Sequence, residues 1–135
     1  MWKCPKCGRT FKKNNQSHSC NTYTEEEHFE NLSEFVKELY ISLIKIIEKK
    51  IGNFSIDPVH CCIHLVNPNT FVAIKPQKSS LKIFFLSQES IQSNRIIKQE
   101  RYSSKRINNT LKIHSKDDID EELIEWFITA YHLTL

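Results

Sequence analysis

The chain has 135 residues, 39% of them apolar and 26% charged, which suits one globular domain with at most a small appendage. No apolar run approaches the roughly 18 residues that span a bilayer, which argues against a membrane-spanning helix. The net charge of +3 conceals four segments: +5 over residues 1–20, −4 over 21–60, +7 over 61–115 and −5 over 116–135. Five cysteines, at 4, 7, 20, 61 and 62, are an odd number with one Cys-x-x-Cys pair, a pattern that favours metal binding over a disulfide framework. Behind Met1-Trp2-Lys3-Cys4-Pro5 there is no apolar signal stretch, so the expected location is the cytoplasm, where thiols stay reduced.

Residues 1–22 read as a zinc finger and 23–135 as an α+β domain long enough to bury its own core. Zinc prefers tetrahedral thiolate and imidazole donors. Cys4-Pro5-Lys6-Cys7-Gly8 supplies two thiolates from one tight turn, and His18 and Cys20 complete the set Cys4, Cys7, His18, Cys20. Three thiolates and one zinc leave a net −1, which Lys3, Lys6 and Arg9 offset. Trp2 and Phe11 flank the first pair and can form the mini-core that so short a segment otherwise lacks. Residues two apart on a regular helix point about 200° away from each other, so His18 and Cys20 must sit on a turn or helix end. A groove-reading recognition helix is therefore not implied. His60, Cys61, Cys62 and His64 remain alternative sources of a fourth ligand.

Thr24-Glu25-Glu26-Glu27 is a capping box, followed by Phe29, Leu32, Val36, Leu39, Leu43 and Ile47 on one helical face. The expected helix runs from about Glu25 to Ile51 and stops at Gly52. Residues 60–66 read as a mostly buried strand, with Cys61 and Cys62 as core packing. Asn67-Pro68-Asn69 is a turn, residues 70–75 form a second strand and 81–86 a third. Residues 87–100 fit a loop or a short helix. Ile107, Asn109, Leu111 and Ile113 alternate as a last strand, and Ser115 or Asp117 caps a final helix from about Asp117 to Leu133. The expected fold is α+β, an antiparallel sheet of four to five strands packed by an N-terminal and a C-terminal helix.

Arg95, Lys98, Arg101, Lys105 and Arg106 fall within twelve residues, opposed by Glu100 alone. With Tyr102 among them they could bind phosphate and stack a base, or they could be an edge strand whose charge discourages sheet-to-sheet association. Lys75, Lys78 and Lys82 add to the field if they share its face. Only two glycines are present, which excludes phosphate-cradling glycine loops. No serine lies in a nucleophile elbow. Val72-Ala73-Ile74-Lys75 is similar to the lysine strand of metal-dependent nucleases, but Ala73 stands where an acid is required. A thiol–imidazole pair from the His60–His64 segment is disfavoured, because strand neighbours point to opposite faces.

The run Trp2-Lys-Cys-Pro-Lys-Cys-Gly-Arg-Thr-Phe11 with Asn15-Gln-Ser-His-Ser-Cys20 closely resembles the finger of an uncharacterised bacterial family. Phe71-Val-Ala-Ile-Lys-Pro76, Ser115-Lys-Asp-Asp-Ile-Asp120, Trp126 and Ala130-Tyr131 resemble its main domain, the domain of unknown function 5655. The resemblance implies the zinc ligands named above and no established activity.

The expected function is that of a non-catalytic zinc-containing binding protein. Its nucleic-acid contacts would come from Lys3, Lys6, Arg9, Lys12 and Lys13 in the finger, with Arg95, Lys98, Arg101, Lys105 and Arg106 in the later stretch. The alternative is a protein–protein module in which the acidic helix or the finger docks on a partner and the charge segments match one another internally. An enzyme of unrecognised type is the third reading.

Overall fold

The computed structural model describes residues 1–6, 8–16 and 23–135. At its start β1 (Trp2–Lys3) and β2 (Thr10–Phe11) pair antiparallel, with Trp2 opposite Phe11 and their rings 6.0 Å apart. Thr24 accepts from the Glu27 amide at 3.2 Å, as the capping pattern predicts. What it opens, however, is a single 3-10 turn, Glu26–Phe29, and not a long helix. Asn31 then takes a left-handed φ of 63°, and helix α1 spans only Glu34–Lys50. The apolar period ran through this break because Phe29 and Leu32 still pack on the same core as Val36 and Leu39. Gly52, at φ +117°, ends the segment in the backbone region that glycine alone enters freely.

Six strands follow: β3 (Ser55–Pro58), β4 (Ile63–Val66), β5 (Thr70–Pro76), β6 (Leu81–Ser87), β7 (Lys98–Ser103) and β8 (Arg106–Ile113). They form one sheet in the order β3-β4-β5-β6-β8-β7 with every pair antiparallel. The sheet has six strands where four to five were expected; the additions are its two edges, β3 and β7. His60, Cys61 and Cys62 precede β4 in a bend, so the strand expected over 60–66 begins only at Ile63. A second 3-10 turn, Lys116–Asp118, leads to helix α2 (Glu121–Leu133).

Register sorts the sheet into two faces. Ile63, Ile74, Ile83 and Leu111 stand in one cross-strand row, and Leu65, Val72, Phe85 and Asn109 in the next on that same face. All eight are buried, and Val36, Leu43 and Ile47 of α1 with Leu123, Phe127 and Ala130 of α2 complete that core. The one polar intruder, Asn109, donates to Ser87 Oγ at 2.9 Å and accepts from Gln99 Nε2 at 3.1 Å, so its burial leaves no polar atom unpaired. Both helices thus serve one face, and among the described residues no helix covers the other.

Candidate functional site

The helix-free face is where charge accumulates. Lys75 of β5 stands opposite Lys82 of β6, which stands opposite Lys112 of β8. Three lysines therefore lie abreast on adjacent strands, with Cβ atoms about 5 Å apart in such a row. Among the described residues no carboxylate pairs with any of the three. The next row on this face is Asp57, His64, Ala73, Phe84, Thr110 and Lys98. Phe84 is half-buried there, with Lys82 Nζ 5.6 Å from its ring centroid. Lys98 makes a 3.3 Å ion pair with Glu100.

The N-terminal hairpin sits at the β3–β4 margin of this face. Arg9 Nε donates to Asp57 Oδ1 at 3.3 Å, and its Nη2 to the Pro58 carbonyl at 3.4 Å. A cleft of about 790 Å³ lies between hairpin and sheet, bordered by Arg9, Tyr23, His60, Cys61, His64 and Thr70. Lys3, Lys6, Lys12 and Lys13 are exposed on the hairpin. Of the expected zinc ligands, Cys4 is buried at 3% exposure. Its amide donates to the Arg9 carbonyl and its carbonyl accepts from the Gly8 amide, both at 2.8 Å, with Gly8 at φ +74°. A glycine at positive φ just after the Cys-x-x-Cys stretch is compatible with a metal loop, and a thiol is a donor type that zinc takes. Cys7, His18 and Cys20 lie outside the described residues.

The later basic stretch divides. Arg95 turns toward α2: Nη1 reaches Asp120 at 2.9 Å and Glu122 at 3.1 Å, Nη2 donates to the Asp118 carbonyl at 2.6 Å, and the guanidinium lies 5.6 Å from the Trp126 ring centroid. Arg106 donates to the Leu133 carbonyl at 3.0 Å, at the other end of the same helix. These two side chains seat α2. Lys98, Arg101 and Lys105 remain exposed on or beside β7, an edge strand all of whose residues are exposed. Arg101 also caps its own turn through the Ser103 and Ser104 carbonyls.

Sequence reasoning named Lys75 and Lys82 of the lysine row but not Lys112, and misplaced one cysteine. Lys112 was not singled out, although strand alternation puts it on the polar side of β8. Cys62 is buried, as core packing requires, but Cys61 is exposed and borders the cleft. The bend before β4 turns both thiols to one side, with their sulfurs 2.7 Å apart. The Cys61 and Cys62 sulfurs and a ring nitrogen of His64 all lie within 4.8 Å of one another, a group that could hold a metal ion. Burial pushes the Cys62 thiol up to about 12, with the Cys61 contact adding to the effect. Burial also lowers the His64 imidazole below its ordinary value, against the opposing pull of Asp57.

No curated protein and no solved structure matches the chain. Residues 25–134 match the family described as domain of unknown function DUF5655, over the stretch that carries both helices and the whole six-stranded sheet. The protein belongs to the DUF5655 family.

Proposed function

We infer that the protein binds single-stranded nucleic acid across the helix-free face of its sheet, as a non-catalytic zinc-containing binding module. The observation that carries this reading is the row Lys75–Lys82–Lys112. Like charges directly opposite on a sheet destabilise it, by roughly 0.2–1 kcal/mol for such a pair, so an unpaired row of three is a surface that a polyanion completes. Both helices lie on the far side, so none stands beside the lysines to enter a major groove. A flat sheet face carrying a half-exposed aromatic, Phe84, instead suits bases splayed from a single strand, with phosphates against the ammonium groups. The hairpin lysines Lys3, Lys6, Lys12 and Lys13 extend the positive field at the β3–β4 margin, and Lys98 extends it at the β7 edge, whereas Arg101 stands opposite the buried Ile107 on the helix side. Zinc, held by Cys4 with Cys7, His18 and Cys20, would keep the hairpin folded and supply no reaction step.

The test is fluorescence anisotropy with single-stranded and duplex oligonucleotides over a salt series. Single strands should bind more tightly, with log K falling against log salt by about 0.7 per phosphate neutralised. The triple variant Lys75→Glu, Lys82→Glu, Lys112→Glu should lose binding to all sequences alike. No binding at about 50 mM salt with micromolar protein would end the nucleic-acid reading, since even nonspecific binders register there. In that case the partner would be a protein, docking on the same cationic face.

A further inference from the structure

We propose that Cys61, Cys62 and His64 form a second metal site, distinct from the N-terminal finger, that takes a thiophilic divalent ion of the zinc class at the wall of the cleft beneath the hairpin. Two thiols and one imidazole are the donor types that select such ions over hard cations. Their donor atoms already lie within 4.8 Å of one another. The positions come from the fold: the bend at residues 60–62 brings both sulfurs to one side, and β4 holds His64 on the helix-free face opposite Asp57 and Ala73.

The surroundings match those of a ligand set. Thr70 Oγ1 lies 3.3 Å from His64 Nδ1, a contact that a ring binding the ion through Nε2 would keep. A metal-bound imidazole ordinarily has such a partner on its other nitrogen, fixing ring orientation. Two thiolates on one tetrahedral zinc stand about 3.8 Å apart, given bonds of about 2.3 Å. The sulfurs at 2.7 Å must therefore separate by about 1 Å, which rotation of the exposed Cys61 side chain can supply. Three protein donors leave the fourth position facing the cleft, open to water or to a ligand donor atom.

The test is zinc content of the full chain, purified under reducing conditions and measured by elemental analysis. Relative to the unaltered protein, Cys61→Ser should lose about one zinc per chain, and Cys4→Ser should lose a different one, the two losses adding in the double variant. His64→Gln should reproduce the Cys61→Ser loss, with helical and sheet content unchanged by circular dichroism. Because Cys61 is exposed, serine there leaves the core intact and the comparison interpretable. Equal zinc in the unaltered protein, Cys61→Ser and His64→Gln would overturn the proposal. So would isolation of a Cys61–Cys62 disulfide form that gains no zinc after reduction.

Discussion

Asp120 shows how one carboxylate can fix the start of a helix and the end of a loop together. Its side chain accepts from the Leu123 amide at 3.0 Å and from Arg95 at 2.9 Å. The amide bond first, and the guanidinium with it, hold the carboxyl below its ordinary range. Asp120→Ala removes the cap and releases Arg95, which should cost about 1–2 kcal/mol in urea denaturation at neutral pH. Because the folded state depresses the carboxyl, its contribution is complete above about pH 4 and fades as pH falls through the lower folded value. The gap between the unaltered protein and Asp120→Ala should therefore shrink on acidification below pH 4, and a gap constant with pH would refute the carboxylate's role. From sequence the final helix was expected to start near Asp117 under a Ser115 or Asp117 cap; instead Ser115 caps the preceding 3-10 turn and Asp120 caps the helix. Its partner Arg95 was not legible either, since it lies 25 residues away and stood in a run of bases that suggested phosphate contacts. Cys61 failed for a related reason, since burial of a cysteine pair depends on whether the backbone there is strand or bend.

At the scale of elements, the sequence showed those parts whose one face is apolar. β6 alternates cleanly, and β5, β6 and β8, each rich in apolar residues, emerged within a residue or two of their bounds. β7 reads Lys-Gln-Glu-Arg-Tyr-Ser and is exposed throughout, so no alternation marked it; only its backbone pairing with β8 makes it a strand. β3 is short and ends in Pro58, a residue confined to sheet edges and strand ends. The lysine row is likewise a cross-strand property, invisible until register is known. It carries a separable prediction. Lys112→Thr removes one like-charge neighbour of Lys82 while leaving the Lys82–Phe84 contact in place. The variant should be more stable than the unaltered protein by roughly 0.2–1 kcal/mol, and should bind oligonucleotide more weakly with a shallower salt dependence. A destabilised Lys112→Thr protein that binds as before would mean that the row serves packing and not a ligand. By contrast Phe127→Ala, at a fully buried site facing Phe85, should cost about 3–5 kcal/mol without any specific effect on salt dependence.

For the whole molecule the question is how the N-terminal hairpin and the DUF5655 domain depend on each other. Among the described residues the hydrophobic core begins at Phe29 and draws nothing from the hairpin. Arg9 joins the two through Asp57 and the Pro58 carbonyl, contacts that are polar and only partly buried, each of a kind worth about 1 kcal/mol or less. The domain should therefore fold without the hairpin, whereas so short a segment would have little to hold it without the proposed zinc. Cys4→Ser should leave one cooperative unfolding transition in circular dichroism, close to that of the unaltered protein, while releasing the hairpin's zinc. It should also weaken single-strand binding, because Lys3, Lys6, Lys12 and Lys13 no longer hold a fixed place beside the sheet. The salt slope should then fall by about 0.7 for each phosphate contact the hairpin made, leaving the residual slope that belongs to the Lys75–Lys82–Lys112 face. Adding Lys75→Glu to Cys4→Ser should lower it further, since the two surfaces are separate and their losses add. Disappearance of the cooperative transition in Cys4→Ser would show that hairpin and domain fold as one unit. An unchanged slope would instead confine the nucleic-acid contacts to the sheet.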